Sequence, residues 1–135
     1  MTFLDRYELV RPDATIRYWT GGAAAGRTVV LLHGATLDHR AWAPQADALQ
    51  GHFRLVVPDL RAHGESTGSF DFEAAVQDVF ALLDELPVER VVLVGLSLGG
   101  NLAQEVVRRA PDGCRRSWSR MPPATPGPGT RWPPR

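Results

Sequence analysis

Apolar and polar positions fall into two alternating kinds of block along this chain. Three short runs are wholly apolar: Val29-Val30-Leu31-Leu32, Leu55-Val56-Val57 and Val91-Val92-Leu93-Val94. Short β-branched and aliphatic runs bounded by turn residues predict strands buried on both faces. Other segments carry apolar residues at helical spacing. Phe72, Val76, Val79, Phe80 and Leu83 share one face, as do Leu98, Leu102, Val106 and Ala110. Asp71 stands where the first of these helices needs an N-cap, and Pro87 closes it. A further helix is predicted from Ala41 to Leu49. Upstream, Tyr7 to Val10 and Ala14 to Trp19 flank Pro12-Asp13, which predicts two strands joined by a turn. The glycine- and alanine-rich stretch 21–26 is a surface loop.

After the first two strands the order is strand, helix, strand, helix, strand, helix. Such alternation predicts an α/β domain, with a mostly parallel sheet covered by helices on both faces. In these sheets ligands and chemistry gather outside the carboxyl ends of the strands. His33-Gly34-Ala35, the stretch from Asp59 to Ser66, and Ser97 all follow strand ends, and so fall on one rim.

Gly95-Leu96-Ser97-Leu98-Gly99 is a G-x-S-x-G pattern between a buried strand and an amphipathic helix. In that context the serine sits on a sharp strand-to-helix turn, a nucleophile elbow. Gly95 and Gly99 let strand and helix approach closely. Ser97 is the candidate nucleophile, and the Leu98 N–H at the helix start points toward a developing oxyanion.

Composition narrows the classes. The chain has 135 residues and no net charge, so neither nucleic acid nor an acidic surface is implied as a partner. The balance hides an asymmetry. Residues 1–112 hold 10 Arg against 15 acids, a net of −5, and residues 113–135 hold 5 Arg and no acid, a net of +5. Lysine is absent, which points to a gene rich in G and C. The one cysteine, Cys114, excludes an internal disulfide or a cysteine metal cluster. There is no signal-like N-terminus and no apolar run of membrane-spanning length, so a cytoplasmic protein without a membrane partner is expected.

Three motifs now stand in order: Leu31-Leu32-His33-Gly34, Pro58-Asp59-Leu60-Arg61-Ala62-His63-Gly64-Glu65-Ser66 and Gly95-Leu96-Ser97-Leu98-Gly99-Gly100. Together they resemble the α/β-hydrolase fold superfamily, in its serine esterase, lactonase and C–C hydrolase branch. The resemblance covers about the first 112 residues. It implies Ser97 as nucleophile, the N–H groups of Ala35 and Leu98 as the oxyanion hole, and His33 and Gly34 as shapers of that loop. It implies hydrolysis of a carboxylic ester, lactone or related carbonyl compound, a small-molecule acyl substrate, and no cofactor or metal. The oligomeric state stays open. A serine nucleophile sets the chain apart from the aspartate-using dehalogenase and epoxide-hydrolase branches. Ala62 departs from the pattern, since the family commonly has glycine there.

A serine hydrolase also needs a histidine base and an orienting acid. In this family both follow the serine in chain order. After Ser97 the acids are Glu105 and Asp112, and no histidine follows. Glu105 is read as a solvated helix residue, His39 and His52 as solvent-facing, and His63 as a loop-stabilising residue. The chain is thus expected to hold the nucleophile without its two partners: the N-terminal part of a hydrolase domain over residues 1–112, truncated after the elbow helix. The alternative is an inactive fragment or a non-catalytic binding module. Residues 113–135 carry six Pro and no Val, Ile or Leu, which predicts a disordered tail. With GC-rich codons from Asp112 to Met121, restoring one C after the Asp112 codon reads Asp-Arg-Val-Pro-Ala-Leu-Val-Val-Ala-Asp. That is a buried strand ending in an acid, so the tail is expected to be a frameshift product. Resequencing the gene around codon 113 should reveal a hydrolase continuation in the neighbouring frame, and finding none overturns this expectation.

Overall fold

The computed structural model describes residues 4–88 and 90–110. The residues from 113 onward, and the boundary expected at 112, lie outside them. The elements in chain order are strands β1 (Asp5–Arg11), β2 (Ala14–Gly22) and β3 (Thr28–Leu32), helix α1 (Ala43–Leu49), strand β4 (Arg54–Pro58), helix α2 (Phe72–Glu85), strand β5 (Val91–Gly95) and helix α3 (Leu98–Arg109). A single 3-10 turn, His39–Trp42, leads into α1. The helix expected from Ala41 therefore starts later. The Asp38 carboxylate caps the 3-10 turn by accepting from the Arg40 N–H, and Pro44, which lacks an N–H, suits the first turn of α1. The Asp71 cap of α2 is as expected, accepting from the Ala74 N–H at 2.8 Å.

Five strands make one mixed sheet in the order β1-β2-β4-β3-β5. β1 and β2 form a hairpin around Pro12-Asp13, β2 runs antiparallel to β4, and β3 is parallel to both β4 and β5. Side-chain alternation sorts the sheet into two faces. Val30, Leu32 and Val56 meet α2 and α3 through Val76, Phe80, Leu83, Leu102 and Val106. Val29, Leu31, Leu55 and Val57 meet Ala46 of α1, with Trp19 beside them. Helices thus cover both faces, as the alternation of blocks predicts.

The connection from β3 moves to β4 on one side, and the connection from β4 passes over β3 to reach β5 on the other. The loop leaving β3 leads to α1 on one face and the loop leaving β5 leads to α3 on the other, so the chain parts between the carboxyl ends of these neighbouring strands. Such a topological switch point opens a crevice in a doubly wound sheet.

A buried charge cluster ties the loop after β4 to the rest. Arg61 is 2% exposed. Its Nε and Nη2 donate to the Asp78 carboxylate of α2 at 2.7 and 3.0 Å, and Nη1 and Nη2 donate to Asp13 of the β1–β2 turn at 3.0 Å. Arg11 adds a second cation on Asp78 at 3.1 Å. A guanidinium is tolerated in such a place only when paired, and stripping one partner from a buried pair costs about 3–5 kcal/mol. This explains why the apolar face of α2 contains a buried Asp78 that helical periodicity does not anticipate.

β5 departs from its sequence reading. Its run of apolar residues predicts burial on both faces, yet Val92 and Val94 are 44% and 36% exposed. The reason is position: among the described residues β5 pairs only with β3, and no helix covers Val92 and Val94. On its other face an apolar groove of about 510 Å³ runs between β5 and α3, lined by Leu83, Val91, Leu93, Ala103, Val106 and Ala110. The opposite edge, β1, carries Asp5, Arg6, Glu8 and Arg11. Charges on an edge strand discourage pairing with other chains, whereas a bare apolar edge invites it. Expressed without a fusion partner, the chain should therefore self-associate or aggregate. Val92→Lys should shift its size-exclusion elution toward monomer. A soluble wild-type monomer with one cooperative thermal transition overturns this expectation.

Candidate functional site

The elbow follows β5 without a spacer. Ser97 has φ 52° and ψ −111°. A non-glycine residue there is strained, at a cost of order 1–3 kcal/mol. The turn is held by hydrogen bonds from Leu96 N–H to the Leu32 carbonyl at 3.0 Å and from Gly99 N–H to the Leu96 carbonyl at 2.9 Å. Two glycines make it possible. A Cβ on Gly99 would stand 2.5 Å from the Leu32 carbonyl carbon and 2.6 Å from the His33 oxygen, and one on Gly95 would overlap the Gly99 carbonyl. Ser97 is exposed and occupies the N-cap position of α3, but its hydroxyl makes no capping bond to the helix. An N-cap serine ordinarily spends its oxygen on an N–H of the first turn. Leu98 is the first residue of α3, so its N–H has no partner within the helix.

The loop after β3 comes up beside the elbow. A Cβ on Gly34 would be 3.3 Å from the Leu96 carbonyl oxygen and 3.5 Å from the Ser97 Cβ. His33 is fully buried. Its Nδ1–H donates to the Gly34 carbonyl at 2.7 Å, and its Nε2 accepts from the Leu60 N–H at 3.0 Å. These partners define a neutral imidazole protonated on Nδ1. Burial pushes its pKa below the usual histidine value, and the bond to Gly34 opposes that only in part. With both nitrogens engaged, His33 serves as a strut between the two loops. It also sets a peptide plane. In a trans peptide the N–H points opposite the carbonyl, so tying down the Gly34 oxygen fixes where the Ala35 N–H points. Ala35 itself is exposed. The structure thus brings Ser97, Leu98, Gly95, Gly99, His33, Gly34 and Ala35 together at the switch point.

The loop after β4 is built around Asp59, which is fully buried. Its Oδ1 accepts from the His39 N–H at 2.6 Å and from His39 Nδ1–H at 2.8 Å. Its Oδ2 accepts from the Glu65 N–H at 2.8 Å, and its carbonyl from the Ser66 hydroxyl at 2.7 Å. His39 is therefore not solvent-facing as its sequence context predicts: its ring stacks on Trp19 at 3.5 Å between centroids. Asp38 joins this cluster, and the three side chains place ligand-type atoms within 4.8 Å of one another. Their lone pairs are already directed at hydrogens. Arg40 occupies both Asp38 oxygens and holds that carboxyl down to about 2, and Asp59 is taken by His39 and Glu65. The arrangement is a hydrogen-bonded knot.

His63 donates from Nδ1 to the Arg61 carbonyl at 2.8 Å, with its ring near His33 and edge-on to Phe70. That matches a loop-stabilising residue. Ala62 has φ 64°, the backbone that a glycine adopts freely, so this departure from the family pattern is accommodated at a cost in strain. Glu105 is not solvated as expected. It is half-buried and accepts from Arg108 and Arg109. Arg109 also reaches Glu73, so these pairs tie α3 to α2.

Among the described residues, the non-glycine positions with left-handed φ are Thr36, Ala62 and Ser97, one on each of the three loops at this rim. Such strain persists only where the surroundings over-determine it, and it clusters at functional sites.

The family profile described as alpha/beta hydrolase fold matches residues 27–134. The chain belongs to this family. A pimeloyl-[acyl-carrier protein] methyl ester esterase of Pectobacterium carotovorum is 35% identical over 96 residues, covering 70% of this chain and 36% of that protein. A 3-oxoadipate enol-lactonase of Acinetobacter baylyi is 30% identical over 92 residues, covering 67% and 35%. The crystal structure of a hydrolase from Pseudomonas aeruginosa PA01 superposes with a TM-score of 0.75 at 34% identity, covering 83% of this chain and 44% of that one. This α/β-hydrolase chain thus spans about a third of the length of these two curated relatives, and the sheet described here is a fragment of the family fold.

The α/β-hydrolase rim also holds residues that sequence reading missed. Neither the Asp59–His39–Trp19 knot nor the strained Thr36 has a local signal. Asp59 ends a strand after Pro58 as many turn residues do, and its partner lies 20 residues away.

His33 gives this site a pH signature. Its pKa is lowered by folding, so as pH falls the unfolded chain takes up the proton first. The stability His33 contributes is fully present above its unfolded pKa of about 6.5 and is lost as pH falls below it, by up to about 1.4 kcal/mol per pH unit. Urea midpoints taken at low protein concentration should therefore fall on acidification from about pH 7.5 to pH 5.5. The slope should be shallower in His33→Gln. An equal slope in both proteins overturns the assignment of a buried neutral imidazole.

Proposed function

We propose that this rim is the nucleophile half of a serine-hydrolase site acting on a carboxylic ester, lactone or related carbonyl compound. The observation that carries the reading is Ser97, held at a strained positive φ with its hydroxyl exposed and unspent. The Ser97 oxygen attacks the substrate carbonyl and forms a tetrahedral intermediate. Its negative oxygen is taken by the N–H groups of Ala35 and Leu98. One such donor is commonly worth about 10²–10³ in rate. Collapse expels the alcohol and leaves an acyl-serine, which water then cleaves to the free acid. Gly95 and Gly99 permit the turn, and His33 and Gly34 orient the Ala35 peptide. The substrate is a small acyl compound. No metal or organic cofactor takes part on this reading, and neither nucleic acid nor a membrane is a partner. We take the protein to be cytoplasmic.

Attack also requires somewhere for the serine proton to go. Both nitrogens of His33 are spent, and the sequence holds no histidine after Ser97. These features favour a second, complementary reading: the chain by itself is a non-catalytic or barely catalytic fragment. Oxyanion donors and binding alone leave a residual rate of about 10³–10⁴ over water. Hydrolysis of p-nitrophenyl esters should therefore be slow, and about equally slow in Ser97→Ala, because that residual rate does not pass through the serine. Robust turnover that Ser97→Ala abolishes would show that another base, such as His63, serves the serine.

A further inference from the structure

The loop carrying Ala35 is anchored at both ends to neighbouring residues of the loop after β4. At its start, His33 Nε2 accepts from the Leu60 N–H at 3.0 Å. At its far end, the N–H and Nδ1–H of His39 donate to Asp59 Oδ1 at 2.6 and 2.8 Å. Between the anchors the chain makes a tight turn, with Leu37 N–H donating to the Gly34 carbonyl at 3.2 Å. Inside that turn Thr36 is held at φ 65°. A β-branched residue resists this backbone and returns to negative φ unless something prevents it. We infer that the His39–Asp59 hydrogen bond is the second anchor, a positioning pair that holds the Gly34–Thr36 turn and hence the direction of the Ala35 N–H.

The pair has the outline of a catalytic dyad, with a buried carboxylate oriented on an imidazole Nδ1–H. Its place in the sheet assigns it a different task. The His39 ring lies on Trp19 of β2, and Asp59 follows β4, whereas Ser97 follows β5 on the other side of β3. Strands lie about 4.8 Å apart, so the strand end that carries Asp59 is two spacings, roughly 10 Å, from the one that carries Ser97. The pair acts on the site through the loop. The consequence for hydrolysis rests on the oxyanion role proposed for Ala35, while the anchoring itself does not.

Three substitutions in the full chain separate the hydrogen bond from the packing. His39→Phe keeps a ring on Trp19 but removes the Nδ1–H. His39→Asn loses the ring but places an amide N–H near the Nδ1 position. Asp59→Asn weakens the acceptor. Hydrogen exchange followed by mass spectrometry, at low micromolar concentration where association is least, reports the Leu37 amide, which donates to the Gly34 carbonyl within this turn, against those of β3 and β4. A hydrogen bond to a charged group is strong enough that His39→Phe should speed exchange in this turn by about tenfold or more. Asp59→Asn should act in the same direction, His39→Asn should largely restore protection, and β3 and β4 should be unchanged. Unchanged exchange in His39→Phe overturns the proposal. So does a loss that His39→Asn does not rescue, or one that spreads evenly through β3 and β4. These outcomes require no ester hydrolysis, so a failure of the anchor is distinguishable from a failure of Ser97 as nucleophile.

Discussion

Everything at the rim depends on how closely the start of α3 lies against the end of β3. Gly99 passes so near the Leu32 and His33 carbonyls that no side chain fits between. That approach lets the Leu96 N–H reach the Leu32 carbonyl and forces Ser97 into its strained conformation. It also seats Leu102 and Val106 on the sheet, where they join the core shared with α2. The strain at one serine is thereby offset by burial along a whole helix. A fully buried Leu or Val is worth about 1.5–3 kcal/mol, against about 1–3 kcal/mol for the strained residue.

A strained elbow is useful only if the groups facing it are equally fixed, and here polar atoms do that work. His33 and Asp59 are both fully buried, and both spend their hydrogen-bonding capacity on backbone groups of the neighbouring loops. Arg61 then pins the second loop to α2 and to the β1–β2 turn. Buried polar groups of this kind are costly when unpaired, so each is tolerable only while all its partners stay in place. The three loops are thus cooperative. The same cost explains why the His33 imidazole is kept neutral and in one tautomer.

The two edges of the sheet show how differently a strand can be finished. β1 is studded with charge, and Arg6 reaches across to Glu65 at 2.6 Å, so its outer side faces water. β5 presents Val92 and Val94 on one face and a groove against α3 on the other. Its composition is that of an interior strand, and among the described residues it stands at an edge. The chain also matches only part of the length of its relatives, so the half of the rim described here is the half that carries Ser97.

By itself the sequence determined the succession of elements and the location of the rim. Apolar runs separate strands from helices because the two periods, 2 and 3.6, put side chains on different faces. G-x-S-x-G between a buried strand and an amphipathic helix leaves few turns open, so Ser97, Gly95 and Gly99 were legible from local pattern. The family was legible too, since its motifs lie in short contiguous segments. Only the tertiary structure decided the rest. Asp78 is buried within α2 because Arg61 reaches it across 17 residues, and His39 is drawn in from solvent because Asp59 and Trp19, each 20 residues away, meet it. Glu105 is drawn into ion pairs with Arg108 and Arg109, and β5 is exposed despite its apolar run. In each case a residue's environment is set by a partner distant in sequence or by the presence of a neighbouring strand, and neither leaves a mark in the local pattern of residues.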